Sequence, residues 1–329
     1  MAEPILEVKN LKTGFYAKQG FYNAIEDVSF SVWPGKTLGI VGESGCGKSV
    51  TCMSMLKLLP EKSAVVDSGS SVRMRGEELT GKSRKEMCRI RGNEIAMIFQ
   101  DSMTSLNPVM TIGRQMAEPF RVHQGMSRRQ AGEKALEMLK KVGIPSPEIK
   151  MRQFPHQLSG GQRQRVMIAM ALSCSPDVLI ADEPTTALDV TIQAQIVRLM
   201  KQLQETSGTA IILITHDMGI VAEMADEIMV MYAGNVVETA SKRELFQNPL
   251  HPYTKGLLAS IPSLNKDVEK LHTIEGVVPG LQDMPEGCRF CDRCQSAMPV
   301  CRTKNPGLYD RGGRKVRCFL YEEGKETDT

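Results

Sequence analysis

Three short runs of branched apolar residues, Thr37–Val41, Val178–Ala181 and Ala210–Thr215, are apolar at successive positions rather than at alternate ones. A strand buried on both faces has that pattern. Each run leads through a polar or glycine-containing turn into helical periodicity. The alternation predicts an α/β fold on a parallel sheet, with ligands at the carboxyl ends of the strands. Ahead of these runs, Ile5–Leu11 and Ala24–Val32 alternate over shorter stretches and predict a small antiparallel sheet. From about 102 to 175 the period becomes helical, with Arg128–Val142 amphipathic, so this stretch is expected to be a helical insertion. After Gly234, punctuation by Pro249, Pro252, Pro279, Gly280, Pro285 and Gly287 leaves room only for short elements. No internal repeat is visible, so one chain carries one copy of each motif.

The run Gly42-Glu43-Ser44-Gly45-Cys46-Gly47-Lys48-Ser49 follows the first apolar strand directly. It fits G-x-x-x-x-G-K-[ST], and the apolar residues after it predict a helix. In that setting the glycines let backbone N–H groups close around phosphates, Lys48 pairs with the β- and γ-phosphates, and Ser49 ligates Mg²⁺. Gly42, Ser44, Gly45, Cys46, Gly47, Lys48, Ser49 and Val50 are therefore the expected nucleotide contacts. Asp182 closes the second apolar strand and Glu183 follows it. A carboxylate there can hold Mg²⁺, and the next can act as general base toward an attacking water.

Composition narrows the setting. At 329 residues, the chain is long enough for a large domain and a smaller one. A net charge of +3 gives no strong bias toward nucleic acid or lipid. The first residues lack the features of a signal peptide, and no apolar run approaches the roughly 20 residues that span a bilayer. The expectation is a cytosolic protein whose membrane association is peripheral. Of nine cysteines, Cys46, Cys52, Cys88 and Cys174 are scattered, while Cys288, Cys291, Cys294, Cys301 and Cys318 crowd the C-terminal region. Disulfides are not expected in a reducing compartment.

Leu158-Ser159-Gly160-Gly161-Gln162 resembles the signature of ATP-binding cassette ATPases, and it lies shortly before Asp182 as in that family. Gln100 resembles the Q-loop glutamine, Ala187-Leu188-Asp189 the D-loop and His216 the switch histidine. The resemblance covers about residues 5–240. It implies a P-loop (RecA-like) core with an antiparallel β subdomain and a helical subdomain, a nucleotide-binding domain over 1–235 and an extension over 236–329. It also implies that Ser159, Gly160, Gly161 and Gln162 complete the P-loop of a second cassette, that Asp189 lies at that dimer contact and that His216 contacts the γ-phosphate. Gln100 would reach Mg²⁺, together with Ser49 and Asp182. Phe15 would stack on adenine, with Tyr16 and Tyr22 as rivals.

The wording around Gln100 and Asp182, and the run His251-Pro252-Tyr253-Thr254-Lys255-Gly256-Leu257-Leu258, resemble the ATPases of dipeptide and oligopeptide permeases. Nickel and some glutathione importers share that branch. The implied partners are a second, paralogous ATPase, two transmembrane permease subunits and an extracytoplasmic substrate-binding protein, with no nucleic acid. Location would be the cytoplasmic face of the membrane. Cys288, Cys291, Cys294 and Cys301 form a C-x2-C-x2-C-x6-C run whose start looks like a ferredoxin's. In the resembled family, four cysteines mapping onto Cys288, Cys294, Cys301 and Cys318 can hold a [4Fe–4S] cluster, leaving Cys291 as an extra or alternate ligand. Four thiolates also suit Zn²⁺, and free thiols are a third reading. A nucleic-acid-acting cassette ATPase with a zinc module is the rival function.

Overall fold

The computed structural model describes residues 3–18, 20–100, 105–186, 189–261 and 274–322. The chain forms two compact units: one draws on residues before 7, on 31–37 and on 74–214, and the other on 7–30, 38–73 and the residues from 215 onward.

In the first unit, strands Ile95–Ile98, Val178–Asp182 and Ala210–Thr215 lie side by side and parallel, with Ala96 opposite Leu179 and Leu179 opposite Ile211. Every residue of Val178–Asp182 and of Ala210–Thr215 is buried, which is why neither alternates in sequence. Helices Ile112–His123, Arg128–Lys141, Pro147–Lys150 and Gly160–Ala171 fall in the stretch expected to be a helical insertion. The first two pack on each other and on the last. Arg128–Lys141 starts at a capping box, in which Ser127 accepts from the Gln130 amide. Its buried residues, Ala131, Ala135, Met138 and Leu139, repeat at the spacing of one helix face. The opening of the insertion, Asp101–Thr104, lies outside the described residues.

In the second unit, strands Leu6–Ala17 and Gly20–Val32 are neighbours in a sheet that also holds Ser71–Met74, and Ala64–Val66 pairs antiparallel with Leu6–Ala17. Both long strands exceed the alternating stretches that predict them. The extra residues 20–23 are half-buried or exposed, and of the extra residues 12–17 only Thr13 and Gly14 are buried, neither of them a large apolar side chain that would mark a strand in sequence.

A second sheet runs in the order Tyr309–Arg311, Arg314–Val316, Asn235–Ser241, Glu227–Tyr232, Thr37–Val41. Thr37–Val41 and Glu227–Tyr232 are parallel, and the remaining pairs are antiparallel. Val236, where the extension is expected to begin, therefore lies in a strand paired on one side with Glu227–Tyr232 and on the other with Arg314–Val316. The C-terminal region is woven into the sheet edge. Its aromatic Phe290 packs with Tyr232, Tyr253, Val230 and Leu245 in one buried cluster. Among the described residues, no helix is long and apolar enough to cross a membrane.

Candidate nucleotide-binding and hydrolysis site

Strand Thr37–Val41 delivers the chain into the glycine-rich loop, and helix Lys48–Met55 leaves it. Gly47 caps that helix with φ 100° and no side-chain hydrogen bond. The first-turn N–H groups are thus left for an anion rather than for a capping side chain. Two glycines are required sterically. A Cβ on Gly42, at φ +152°, would sit 2.2 Å from the Met231 carbonyl oxygen, and one on Gly47 would sit 2.7 Å from Ile25 Cγ2. Lys48 is buried, and its Nζ donates to the carbonyls of Gly42 (2.8 Å) and Glu43 (2.9 Å). The ammonium is therefore held across the mouth of the loop. Burial pushes the Cys46 thiol up from its ordinary pKa, against the pull of Lys48, so this cysteine stays neutral. Ser49 and Val50 are half-buried in the first turn of the helix.

In the first unit, Asp182 ends its strand at 3% exposure. Glu183 follows at φ 45°, a left-handed conformation that costs a non-glycine residue roughly 1–2 kcal/mol. Three contacts fix it there. Its amide donates to the Ile214 carbonyl (2.8 Å), and its Oε2 accepts from Gln100 Nε2 (2.8 Å) and from Thr186 Oγ1 (2.9 Å). The expectation sent Gln100 to a metal; in this structure its side chain is on the Glu183 carboxylate. Thr186 was missed, and the only signal for it was its place three residues after Glu183 in the same turn.

Ser159 caps helix Gly160–Ala171, accepting from the Gln162 amide (3.3 Å) while Gln162 Oε1 accepts from Ser159 (3.4 Å). The amides of Gly160 and Gly161 stand in the opening turn, where a helix attracts anions. Asp189 caps helix Val190–Ser207 through the Ile192 amide (2.9 Å). A Cβ on Gly161 would sit 2.9 Å from Ile192 Cγ2, so the two helix starts touch. Ala187 and Leu188 of the expected D-loop lie outside the described residues.

His216, in the second unit, is exposed between strand Ala210–Thr215 and helix Met218–Met224, whose cap is Asp217. Phe15 is half-buried in its strand opposite Ala64. Tyr16 is 62% exposed and meets Phe21 with ring centroids 5.0 Å apart. Phe21 was not among the adenine-stacking candidates.

The structure does not confirm the expected metal site at Cys288, Cys294, Cys301 and Cys318. Among the described residues no group of three or more His, Cys, Asp or Glu side chains is arranged to hold a metal ion. Cys291 and Cys301 are instead buried against Phe319, with Cys288, Met298 and Val300 packed around them. The Cys291 thiol faces Asp292 Oδ1 (3.6 Å), and Cys301 Sγ accepts from the Met298 amide (3.4 Å). Burial pushes Cys288 up to about 12 and Cys318 up to about 11, and neighbouring cysteines reinforce both shifts.

A strand–loop–helix whose first-turn amides carry no side-chain cap suits a phosphate, and Glu183 is separately a carboxylate held at a strand end. Residues 25–186 match the family described as ABC transporter, and residues 237–301 match the oligopeptide/dipeptide transporter C-terminal region. The oligopeptide transport ATP-binding protein AppD of Bacillus subtilis is 51% identical over 320 residues, covering 97% of each chain. The chain belongs to the ATP-binding cassette family, in its branch of transport ATP-binding proteins. Among solved structures, a dimeric ATP-binding cassette in a post-hydrolysis state with ADP and phosphate is similar at TM-score 0.64 and 28% identity. The match covers 72% of this chain and 99% of that one. The Clostridium perfringens protein cbiO1, part of an ABC transporter complex, is similar at TM-score 0.62 and 28% identity, covering 75% and 92%. The cassette fold expected from the motifs is thus borne out.

Proposed function

We propose that the chain is the ATP-binding and ATP-hydrolysing subunit that powers import of dipeptides or oligopeptides. The observation that carries hydrolysis is the Glu183 carboxylate, fixed by Gln100 and Thr186 directly after the buried strand that ends in Asp182. The peptide class rests on the match of residues 237–301 and on near-full-length identity to a relative named for oligopeptide transport.

In this reading the P-loop amides and Lys48 bind the β- and γ-phosphates. Glu183 Oε2 accepts a proton as a water oxygen attacks the γ-phosphorus. The bond from that phosphorus to the bridging oxygen breaks, and ADP and phosphate leave. His216 orients the γ-phosphate and the water. Ser49 and Asp182, joined by Gln100, offer oxygen donors of the kind Mg²⁺ takes, and Mg²⁺ there would neutralise phosphate charge. Ser159, Gly160, Gly161 and Gln162 would serve the nucleotide of a second cassette, a paralogue, with Asp189 at that contact. An aromatic near Phe15 would cover adenine. The complex would include two transmembrane permease subunits and an extracytoplasmic binding protein, with this chain peripheral on the cytoplasmic face.

No step is routed through the tail cysteines. Purification without oxygen, followed by iron, sulfide and zinc analysis, decides their state. About four irons with four sulfides would assign a cluster to Cys288, Cys294, Cys301 and Cys318, one zinc would assign the alternative, and neither would leave packed thiols. The functional test is nucleotide-stimulated phosphate release. Wild-type protein should hydrolyse ATP, and Glu183→Gln should bind ATP without turnover. Equal rates would remove Glu183 from the role of base.

A further inference from the structure

We infer that Arg289 and Arg293, the two arginines inside the loop Cys288–Cys294, are positioning residues for nucleotide binding that brace the P-loop from its outer side. The inference rests on the P-loop reading above. Arg293 is buried along most of its side chain, with 7% exposed. Its Nε donates to the Glu275 carbonyl (2.8 Å) and its Nη2 to the Ile274 carbonyl (3.2 Å), which fixes the guanidinium plane. The remaining nitrogen, Nη1, donates to Glu43 Oε2 (3.0 Å) and to the Tyr232 hydroxyl (3.3 Å).

Glu43 is the second residue of the P-loop, and it is held at both ends. Its amide donates to the hydroxyl of the fully buried Tyr253 (2.8 Å). Its carbonyl receives the Lys48 ammonium (2.9 Å). A single chain of contacts therefore runs from Arg293 through Glu43 to the lysine that meets phosphate.

Arg289 braces the other shoulder. It pairs with Glu26 and donates to the Ala233 carbonyl. The next residue in that turn, Gly234, donates its amide to the carbonyl of Cys46 in the P-loop (2.9 Å), and its own carbonyl receives the Glu26 amide (2.9 Å). Two arginines four residues apart thus reach Glu43 and, through the Gly234 turn, Cys46. A tail held only for its own stability would have no reason to end its charges on the phosphate-binding loop. Rigid backbone donors bind an anion better than donors that must first be ordered.

The test uses the full chain and a fluorescent ATP analogue. Arg293→Met should weaken nucleotide binding about tenfold, the scale of a hydrogen bond to a charged group. Glu43→Gln should weaken it similarly, and the double variant should lose no more than either single one, because the two act through one contact. In steady-state hydrolysis Arg293→Met should raise KM and leave kcat near wild type, with partial rescue by Arg293→Lys. Arg302→Met, at an exposed pair with Asp292, should change nothing. Binding within twofold of wild type in Arg293→Met overturns the inference, as does a fall in kcat at unchanged KM, which marks lost folded protein. Lys48→Ala separates the two claims. If it too binds normally, the P-loop reading itself has failed.

Discussion

Arg314→Met is the sharpest test that the C-terminal region is built into the sheet. Arg314 lies on the tail strand Arg314–Val316, and its Nη2 donates to Glu238 Oε1 (2.9 Å) and to the Asn248 carbonyl (2.7 Å). Glu238, on Asn235–Ser241, is 0% exposed. It also accepts from the amides of Leu250 (2.9 Å) and His251 (2.8 Å). Methionine keeps the apolar stem and removes the charge, so a carboxylate is left buried without its cation. Breaking a buried pair in this way costs about 3–5 kcal/mol. The two amide donors still hold Glu238, so the lower end, about 3 kcal/mol, is expected. For a folding unit of this size that corresponds to a midpoint lower by roughly 6–12 °C. Glu238→Gln alone should cost about 2 kcal/mol, and the double variant less than the sum, because it buries no lone charge. The assay is thermal unfolding of the full chain, with amide hydrogen exchange at Leu250 and His251 to localise the loss. A midpoint within 2 °C of wild type, with unchanged exchange at those amides, would refute the argument.

Glu183→Gln should reduce ATP hydrolysis by about 10²–10⁴-fold while keeping nucleotide affinity, read by phosphate release and by binding of a fluorescent analogue. Lys48→Ala should lose affinity by about two orders of magnitude in the same binding assay, since a buried ammonium on the phosphates is removed. Gly42→Ala should abolish nucleotide binding, because the new Cβ meets the Met231 carbonyl at 2.2 Å. His251 is buried, accepts the Tyr253 amide on Nδ1, and has its pKa pushed down by burial to about 3. The unfolded chain then binds a proton that the folded one refuses. Stability is intact above about pH 6.5 and falls by roughly 1.4 kcal/mol per unit below it. Denaturant unfolding between pH 7 and 5 should show this slope, and His251→Asn should flatten it.

Three of the buried parallel strands were legible because they are largely apolar without alternation, and their observed ends differ from the expected ones only where Asp182 joins the second, whereas Ile95–Ile98 and Glu227–Tyr232 were not singled out. The P-loop, the signature cap at Ser159 and the helix cap at Asp189 were legible for a related reason: each is a local contact whose residues lie within a few positions of one another. Long-range pairings left no such trace. Nothing in the local pattern around Arg293 or Tyr253 announces Glu43 of the P-loop as a partner, or around Arg289 announces Glu26, each more than 200 residues away in sequence. The cysteine spacing is a different case. The thiols clustered in sequence are also neighbours in the fold, with Cys291 and Cys301 packed against Phe319, and whether they hold a metal is what the iron, sulfide and zinc analysis decides.

The most direct test of the central claim is uptake of a radiolabelled oligopeptide by cells whose own copy of this chain has been deleted. Supplying the wild-type chain should restore uptake, and supplying Glu183→Gln at equal abundance should not. Uptake that persists in the deleted cells, or that Glu183→Gln restores in full, would contradict the account of this chain as the ATP-hydrolysing engine of a peptide importer.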